Sequence, residues 1–525
     1  MKSTRVLVVG VDGAPLRLIS KWSEEGLLPT FRKIMEEGAF GPMTTTAYAH
    51  SVPAWISMFT GVNPGKHALH GLVDEKGRLV SSANLRRRTL WELLGDYGLT
   101  SVVINVPATY PIRKAGHSVI IPGLLAPEDF TTYPGWLKNI LKKWDYRIGP
   151  ISTERILFDR DKLVREMFRV AACRVRAAKS LLKSITWDLF IVIFYITDRA
   201  QHFFWHCMDQ HHPYHKQSCC RRYKSVILDA FRFIDKFLGY VLQFVDERTI
   251  LLVVSDHGMG PVYRVFYINE WLRLLGLHNK SASMFSRLSF IIHRMLGNIY
   301  LQSTVSSILR YTLPYKLYSA FYKRARKDHQ DAMVEEKSIA YFSPQKNGVV
   351  VNVADDRMRE RLINKLITWL NNIRDNGRRV VKAVLRREKA CWGDFVHLAP
   401  DLYVIAEDGY DICAEVNGLS MLFGPPLSGL ALYTADHVYQ RQDGIFMVYN
   451  PYLVEPCRLE KVSIFDVTPT ILYAMGLPIP SYMDGEPLTR VFKFRRKVYR
   501  LARPRITKEK LRMMLRSLRT RLSRA

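Results

Sequence analysis

Cysteine, long apolar runs and acidic residues are all scarce in this sequence, and each scarcity excludes something. Seven cysteines in 525 residues form no C-x-x-C pair, and Cys219 and Cys220 are neighbours, so neither a disulfide framework nor a cysteine zinc site is indicated. Reduced thiols in a cytosol are the expectation. Apolar stretches such as residues 190–196 and 250–254 fall far short of the ~20 residues that cross a bilayer. Residues 1–10 run straight into a β-branched segment with neither an apolar leader nor a small-residue cleavage site, so the chain is expected to be cytoplasmic, lying on a membrane at most. Acids number 48 against 77 Lys and Arg, a formal net charge of +29. That imbalance asks for a polyanionic neighbour: nucleic acid, an anionic membrane face or a phosphorylated substrate. The remaining composition, 48% hydrophobic, 12% aromatic and 24% charged, is that of a folded globular protein and excludes wholesale disorder, collagen and coiled coil.

Short Val/Ile/Leu/Phe runs alternate with helical patterns: residues 6–11, then a helix over 27–37, runs 101–106 and 189–196, a helix near 224–245, and run 250–254. Strands that are continuously apolar are buried on both faces, which predicts an α/β fold with a doubly wound, mostly parallel sheet. Two regions break the alternation. Residues 124–185, rich in proline and tryptophan before a helix over 161–183, are expected to form a cap, and residues 280–335 a basic, apolar inserted helical segment in which 280–327 carries nine Lys/Arg and no acid. The core then comprises 1–123, 186–279 and 336–490, followed by a tail, 491–525. In that tail Leu511, Met514, Leu515, Leu518 and Leu522 recur at helical spacing among Lys and Arg, the pattern of a basic amphipathic helix on an anionic membrane surface. Nucleic acid is the second choice of partner.

Three of the apolar strands end in an acid: Asp12, Asp198 and Asp256. Ligands of open α/β sheets bind outside the carboxyl ends of the strands, so the three are candidates for one shared site, although each alone also suits a turn or an N-cap. Asp198 and His202, four residues apart, share one face of a helix that follows the strand and are placed to hold one metal. His206 continues that face, as a ligand or as a structural residue. Asp256-His257-Gly258 sets a second carboxylate and imidazole at a strand end, both able to reach a cation if the glycine turns the chain away. Ser51 precedes a helical segment with Pro53 near its start and Gly61 where a C′ residue belongs, so Ser51 reads as an N-cap. A hydroxyl at a helix N-terminus also suits an alkoxide nucleophile.

Taken in order, Val8-Val9-Gly10-Val11-Asp12-Gly13-Ala14, Ser51-Val52-Pro53-Ala54-Trp55 with Thr60-Gly61-Val62-Asn63-Pro64-Gly65-Lys66-His67, Thr197-Asp198-x-x-Gln201-His202, Ser255-Asp256-His257-Gly258 and a late His437 before Gly444 resemble the alkaline phosphatase superfamily. The branch most similar is the type I phosphodiesterase/nucleotide pyrophosphatase group, in particular its phosphohydrolase/phosphomutase members. The resemblance runs from residue 6 to about residue 490, through Asp466-Val467-Thr468-Pro469-Thr470 and Met483-Asp484-Gly485. It implies two divalent metal ions, zinc first and manganese second, one held by Asp198, His202 and His437 and the other by Asp12, Ser51, Asp256 and His257. It further implies a phosphoester hydrolase, phosphodiesters ahead of monoesters and mutase chemistry, in which Ser51 attacks phosphorus and water releases the phospho-enzyme. A lipid-linked phosphate ester is the expected substrate type. A catalytically idle membrane- or nucleic-acid-binding protein is the alternative of another class. One departure stands out: where nucleotide pyrophosphatases carry a phosphate-contacting Asn, this sequence has Leu72, with His70 and Asn63 as the nearby stand-ins.

Overall fold

The computed structural model describes residues 4–47, 49–149, 159–215, 220–279, 338–344, 346–425, 434–438 and 443–501. The basic insertion 280–335, the tail beyond residue 501 and the side chain of His437 lie outside the described residues. Along the chain the strands are β1 (Arg5–Val11), β2 (Ala39–Thr44), β3 (Ser101–Ile104), β4 (Val119–Ile121), β5 (Leu189–Phe194), β6 (Thr249–Val254), β7 (Gly258–Tyr267), β8 (Ala340–Ser343) and β9 (Gly348–Val351). They continue with β10 (Arg374–Asp375), β11 (Arg378–Arg379), β12 (Val381–Arg386), β13 (Leu402–Ala406), β14 (Gly409–Cys413), β15 (Phe423–Gly424), β16 (Ala435–Val438), β17 (Gly444–Tyr449), β18 (Cys457–Arg458) and β19 (Val462–Ser463).

The main sheet has the order β18-β2-β17-β6-β1-β5-β3-β4, with β19 also on β2. β1 lies between β5 and β6 and is parallel to both, with Val6 opposite Leu189 on one side and Ile250 on the other. Its side chains go alternately to two separate apolar layers. Leu7, Val9 and Val11 join Phe31, Leu163, Ile227 and Phe231, from the helices Pro29–Glu37, Arg160–Ser184 and Val226–Val241. Val6 and Val8 join Trp55, Phe59, Leu90 and Ile471, from the helices Ser51–Thr60, Leu90–Asp96 and Val467–Met475. Helices on both faces of a mostly parallel sheet are what the unbroken apolar strands required. The exception is β17, antiparallel to both β6 and β2. The apolar run 189–196 splits in the structure: the strand stops at Phe194 and the helix Ile196–Met208 begins two residues later.

A second unit stands at the carboxyl ends of the strands. β12, β13, β9 and β8 form an antiparallel sheet, backed by the helix Asp356–Asn371 over Phe266, Trp271, Phe342 and Leu366. β7 carries β14, β15 and β16 and so ties this unit to the main sheet. Among the described residues no helix is long and apolar enough to cross a membrane.

The Met483-Asp484-Gly485 segment is a clamp. Asp484 accepts from the Asn63 backbone N–H at 2.8 Å and its side-chain amide at 2.9 Å, from Lys66 Nζ at 2.6 Å and from Trp392 Nε1 at 2.8 Å. It thereby fixes the loop that leaves the Ser51–Thr60 helix. Asp484→Ala strands a mostly covered Lys66 and two amide donors, and is expected to cost about 3 kcal/mol in urea unfolding. A loss under about 1 kcal/mol would reduce the clamp to a surface contact.

Candidate active site

Gly10, in β1, faces the Trp55 indole so closely that a Cβ there would sit 2.6 Å from the ring, which lets the helix Ser51–Thr60 lie against the strand end. At the next turn Gly13 adopts φ 63°, a left-handed conformation that glycine takes without strain, and Asp198 occupies the space a side chain would fill. Three acids converge through these contacts. Trp55 Nε1 donates to Asp12 Oδ2 at 2.8 Å, the Gly13 N–H donates to Asp256 Oδ1 at 3.2 Å, and Thr197 Oγ1 donates to the Asp12 carbonyl at 2.6 Å. Asp12 and Asp256 are buried outright, and Asp198 is 8% exposed.

Ser51 is the first residue of its helix, not the N-cap expected from the sequence. The cap is His50, whose imidazole accepts from the Val52 N–H at 3.3 Å. Freed from capping, Ser51 Oγ points into the acids, 3.2 Å from Asp12 Oδ1 and 3.3 Å from His257 Nε2.

The two imidazoles are oriented alike. His257 Nδ1 lies 2.9 Å from the Gly258 carbonyl and His202 Nδ1 2.7 Å from the Ala435 carbonyl, so each Nδ1 carries the proton and each Nε2 a lone pair. Those lone pairs face carboxylate oxygens: His257 Nε2 is 3.1 Å from Asp256 Oδ2 and 3.8 Å from Asp12 Oδ1, and His202 Nε2 is 3.3 Å from Asp198 Oδ1. A proton on the imidazole or a cation shared with it satisfies this arrangement. Asp256 Oδ2 is buried and accepts no hydrogen bond, and ligand atoms of Asp12, Asp198 and His257 lie within 4.8 Å of one another. The donors therefore suit divalent ions bound by mixed carboxylate and imidazole ligands. Electrostatics agree. Burial, then the charges of Asp256 and Asp198, push the Asp12 carboxyl well above its usual range. For His202, burial pulls the imidazole down, but Asp198 outweighs it and the net shift is upward.

The structure thus brings together Asp12, Ser51, Asp198, His202, Asp256 and His257. β16 pairs with β7 so that the His437 backbone stands opposite Met259, two residues beyond His257. His206 lies farther along the helix, its Nδ1 3.2 Å from Thr434 Oγ1. Neither stand-in for the missing amide serves. Asn63 uses its amide on Asp484, Gly65 and Trp392, while the His70 Nε2–H donates to the Phe395 carbonyl and burial lowers its pKa to about 4, leaving it neutral. Among the described residues neither lines the cleft over Ser51.

That cleft measures about 560 Å³ and separates the main sheet from the second unit. Leu72, Leu124 and Leu125 form one wall, and Phe342, Tyr403 and Tyr410 belong to the other. Three contributors were not visible in the sequence. Asn347, at φ 47° in the β8–β9 turn, is the one side-chain amide among the described lining residues, and Arg199 the one Lys or Arg. Asp411 also lines it, its carboxyl pushed well up by burial and by the neighbouring Asp436.

A family model described as type I phosphodiesterase/nucleotide pyrophosphatase matches residues 6–420. No curated protein sequence matches significantly. Human ectonucleotide pyrophosphatase/phosphodiesterase 5 superposes with a TM-score of 0.52 at 12% identity, over 93% of this chain and 100% of that one. Phosphonoacetate hydrolase from Sinorhizobium meliloti 1021, solved with phosphonoacetate, gives 0.54 at 15% identity over 90% and 95%. These likenesses establish the fold.

Proposed function

The chain belongs to the type I phosphodiesterase/nucleotide pyrophosphatase family, and from that premise we propose that it cleaves a phosphodiester by attack of Ser51 at phosphorus, with two divalent cations held by Asp12, Ser51, Asp256 and His257 and by Asp198, His202 and His437. Phosphoester hydrolysis as such follows from the family. The observation that carries the finer reading is the Ser51 hydroxyl, released from capping by His50 and set 3.2 Å from Asp12 and 3.3 Å from His257.

Cations in this family polarise the phosphate and stabilise the oxygens of an in-line displacement when bound. The chain's own groups do the rest. The Ser51 hydroxyl donates to Asp12 Oδ1, which is placed to take its proton, and the positive end of the Ser51–Thr60 helix favours the alkoxide that remains. Ser51 Oγ forms the bond to phosphorus as the P–O bond to the leaving group breaks and the leaving oxygen takes a proton from solvent in the cleft; water then attacks the seryl phosphate, breaks the Oγ–P bond and returns a proton to Ser51. We assign contact with the phosphate oxygens to Arg199 and Asn347, which line the cleft, because Leu72 stands where relatives have an amide.

Asn347→Ala is expected to lower kcat/KM by about 10²-fold, the usual effect of removing a phosphate or oxyanion donor, while Asn63→Ala acts through stability alone. Rates of an aryl phosphodiester measured beside folded-state stability separate the two. If Asn347→Ala retains wild-type kcat/KM, another group contacts the phosphate.

A further inference from the structure

A second set of soft donors lies one turn beyond His202. Cys207 ends the same helix, Cys220 returns thirteen residues later, and the two Sγ atoms are 2.8 Å apart. His206 Nε2 is 3.3 Å from Cys207 Sγ. Ligand atoms of the three residues lie within 4.8 Å of one another, and all three side chains are buried, at 0%, 1% and 4% exposure. We propose that His206, Cys207 and Cys220 form a metal site for a thiophilic divalent cation such as Zn²⁺, separate from the catalytic acids.

Three features point to a cation. First, the tautomer of His206 is set from outside the cluster. Thr434 Oγ1 donates its single proton to the His202 carbonyl at 3.2 Å, so it accepts from His206 Nδ1–H, and the Nε2 lone pair is directed at the sulfurs. Metal-bound histidines are held in this way by a hydrogen bond on their other nitrogen. Second, the two sulfurs are neighbours, 2.8 Å apart in one buried cluster with the imidazole, so one ion can reach both. Tetrahedral Zn–S bonds of about 2.3 Å would set the sulfurs about 3.7 Å apart. Third, the charges suit it. Two thiolates neutralise a divalent cation, and the Arg160 guanidinium, 3.4 Å from His206 Nε2, gives up that long contact when the ion binds. Three protein ligands leave a fourth position for water.

The test uses the full chain, stripped of metal under reducing conditions and titrated with Co²⁺. A near-ultraviolet thiolate-to-cobalt charge-transfer band is expected. The catalytic ligands contain no sulfur and cannot produce it. The band should persist in Asp256→Asn, where catalysis is lost, and disappear in Cys207→Ser and Cys220→Ser. In the wild-type chain Zn²⁺ should protect Cys207 and Cys220 from alkylation in peptide maps, an assignment that does not depend on the variants folding. Absence of the band with both thiols fully alkylated in Zn²⁺ overturns the site. So does recovery of a Cys207–Cys220 disulfide from protein purified with Zn²⁺ and reductant.

Discussion

Ser51→Ala is expected to lower phosphodiester turnover by about three orders of magnitude or more while leaving folding stability within about 0.5 kcal/mol of the wild type. The two halves of that result test different things. If Ser51 were the N-cap, its loss would cost about 1 kcal/mol. Here His50 caps the helix through the Val52 N–H, and the Ser51 hydroxyl contacts Asp12 and His257, both catalytic groups. Turnover near the wild-type rate would mean that water attacks phosphorus directly. His50→Ala gives the converse phenotype, a loss of about 1 kcal/mol with chemistry largely retained.

Asp256→Asn is expected to abolish activity, by about a thousandfold, and to stabilise the metal-free chain. The structure explains the direction. Asp256 Oδ1 accepts from the Gly13 N–H, and Asn keeps that bond. Its Oδ2 faces the His257 Nε2 lone pair at 3.1 Å, where an amide N–H would donate instead. The substitution also removes one of the charges that push the Asp12 carboxyl up. The pH dependence follows by linkage. A carboxyl whose folded-state pKa is raised binds protons better in the native state, so its stabilising contribution is complete below the ordinary carboxylate value and is lost as pH rises toward the shifted one. In chelator, the wild-type melting temperature should therefore fall as pH rises above the ordinary carboxylate range, and Asp256→Asn should flatten that slope. Bound divalent cations should remove it from both. A wild-type chain equally stable with and without chelator across that range would contradict the convergence of uncompensated acids.

Much of the site was legible because its parts lie where strand periodicity stops. Asp12, Asp198 and Asp256 each follow an unbroken apolar run, and a parallel sheet buried on both faces delivers such residues to one edge. Ser51 was legible as a helix start but displaced by one position, since neither its hydroxyl nor the imidazole before it declares which will cap. Asn347, Arg199 and Asp411 were not legible. Asn347 sits in a short turn and Asp411 on a strand of the second unit, brought over Ser51 by pairings that carry no local signature. The Cys207–Cys220 pair escaped notice for a similar reason: its spacing matches no compact metal motif, and only the return of the chain to the end of the helix joins the sulfurs.

The position of β17 has a consequence for how the chain is made. β2 is the second strand to be synthesised, yet it does not pair with β1; its hydrogen-bonding partners are β17, β18 and β19, with Ala39 opposite Val448. β6 likewise waits for β17 on its outer side. While a ribosome works through the intervening sequence, the nascent polypeptide holds two unsatisfied strand edges separated by a gap one strand wide. Such edges recruit other chains, and pairings this distant in sequence close slowly. Vectorial folding therefore has a late step, the insertion of β17 between β2 and β6, and fragments released before it are the species that would engage chaperones or aggregate.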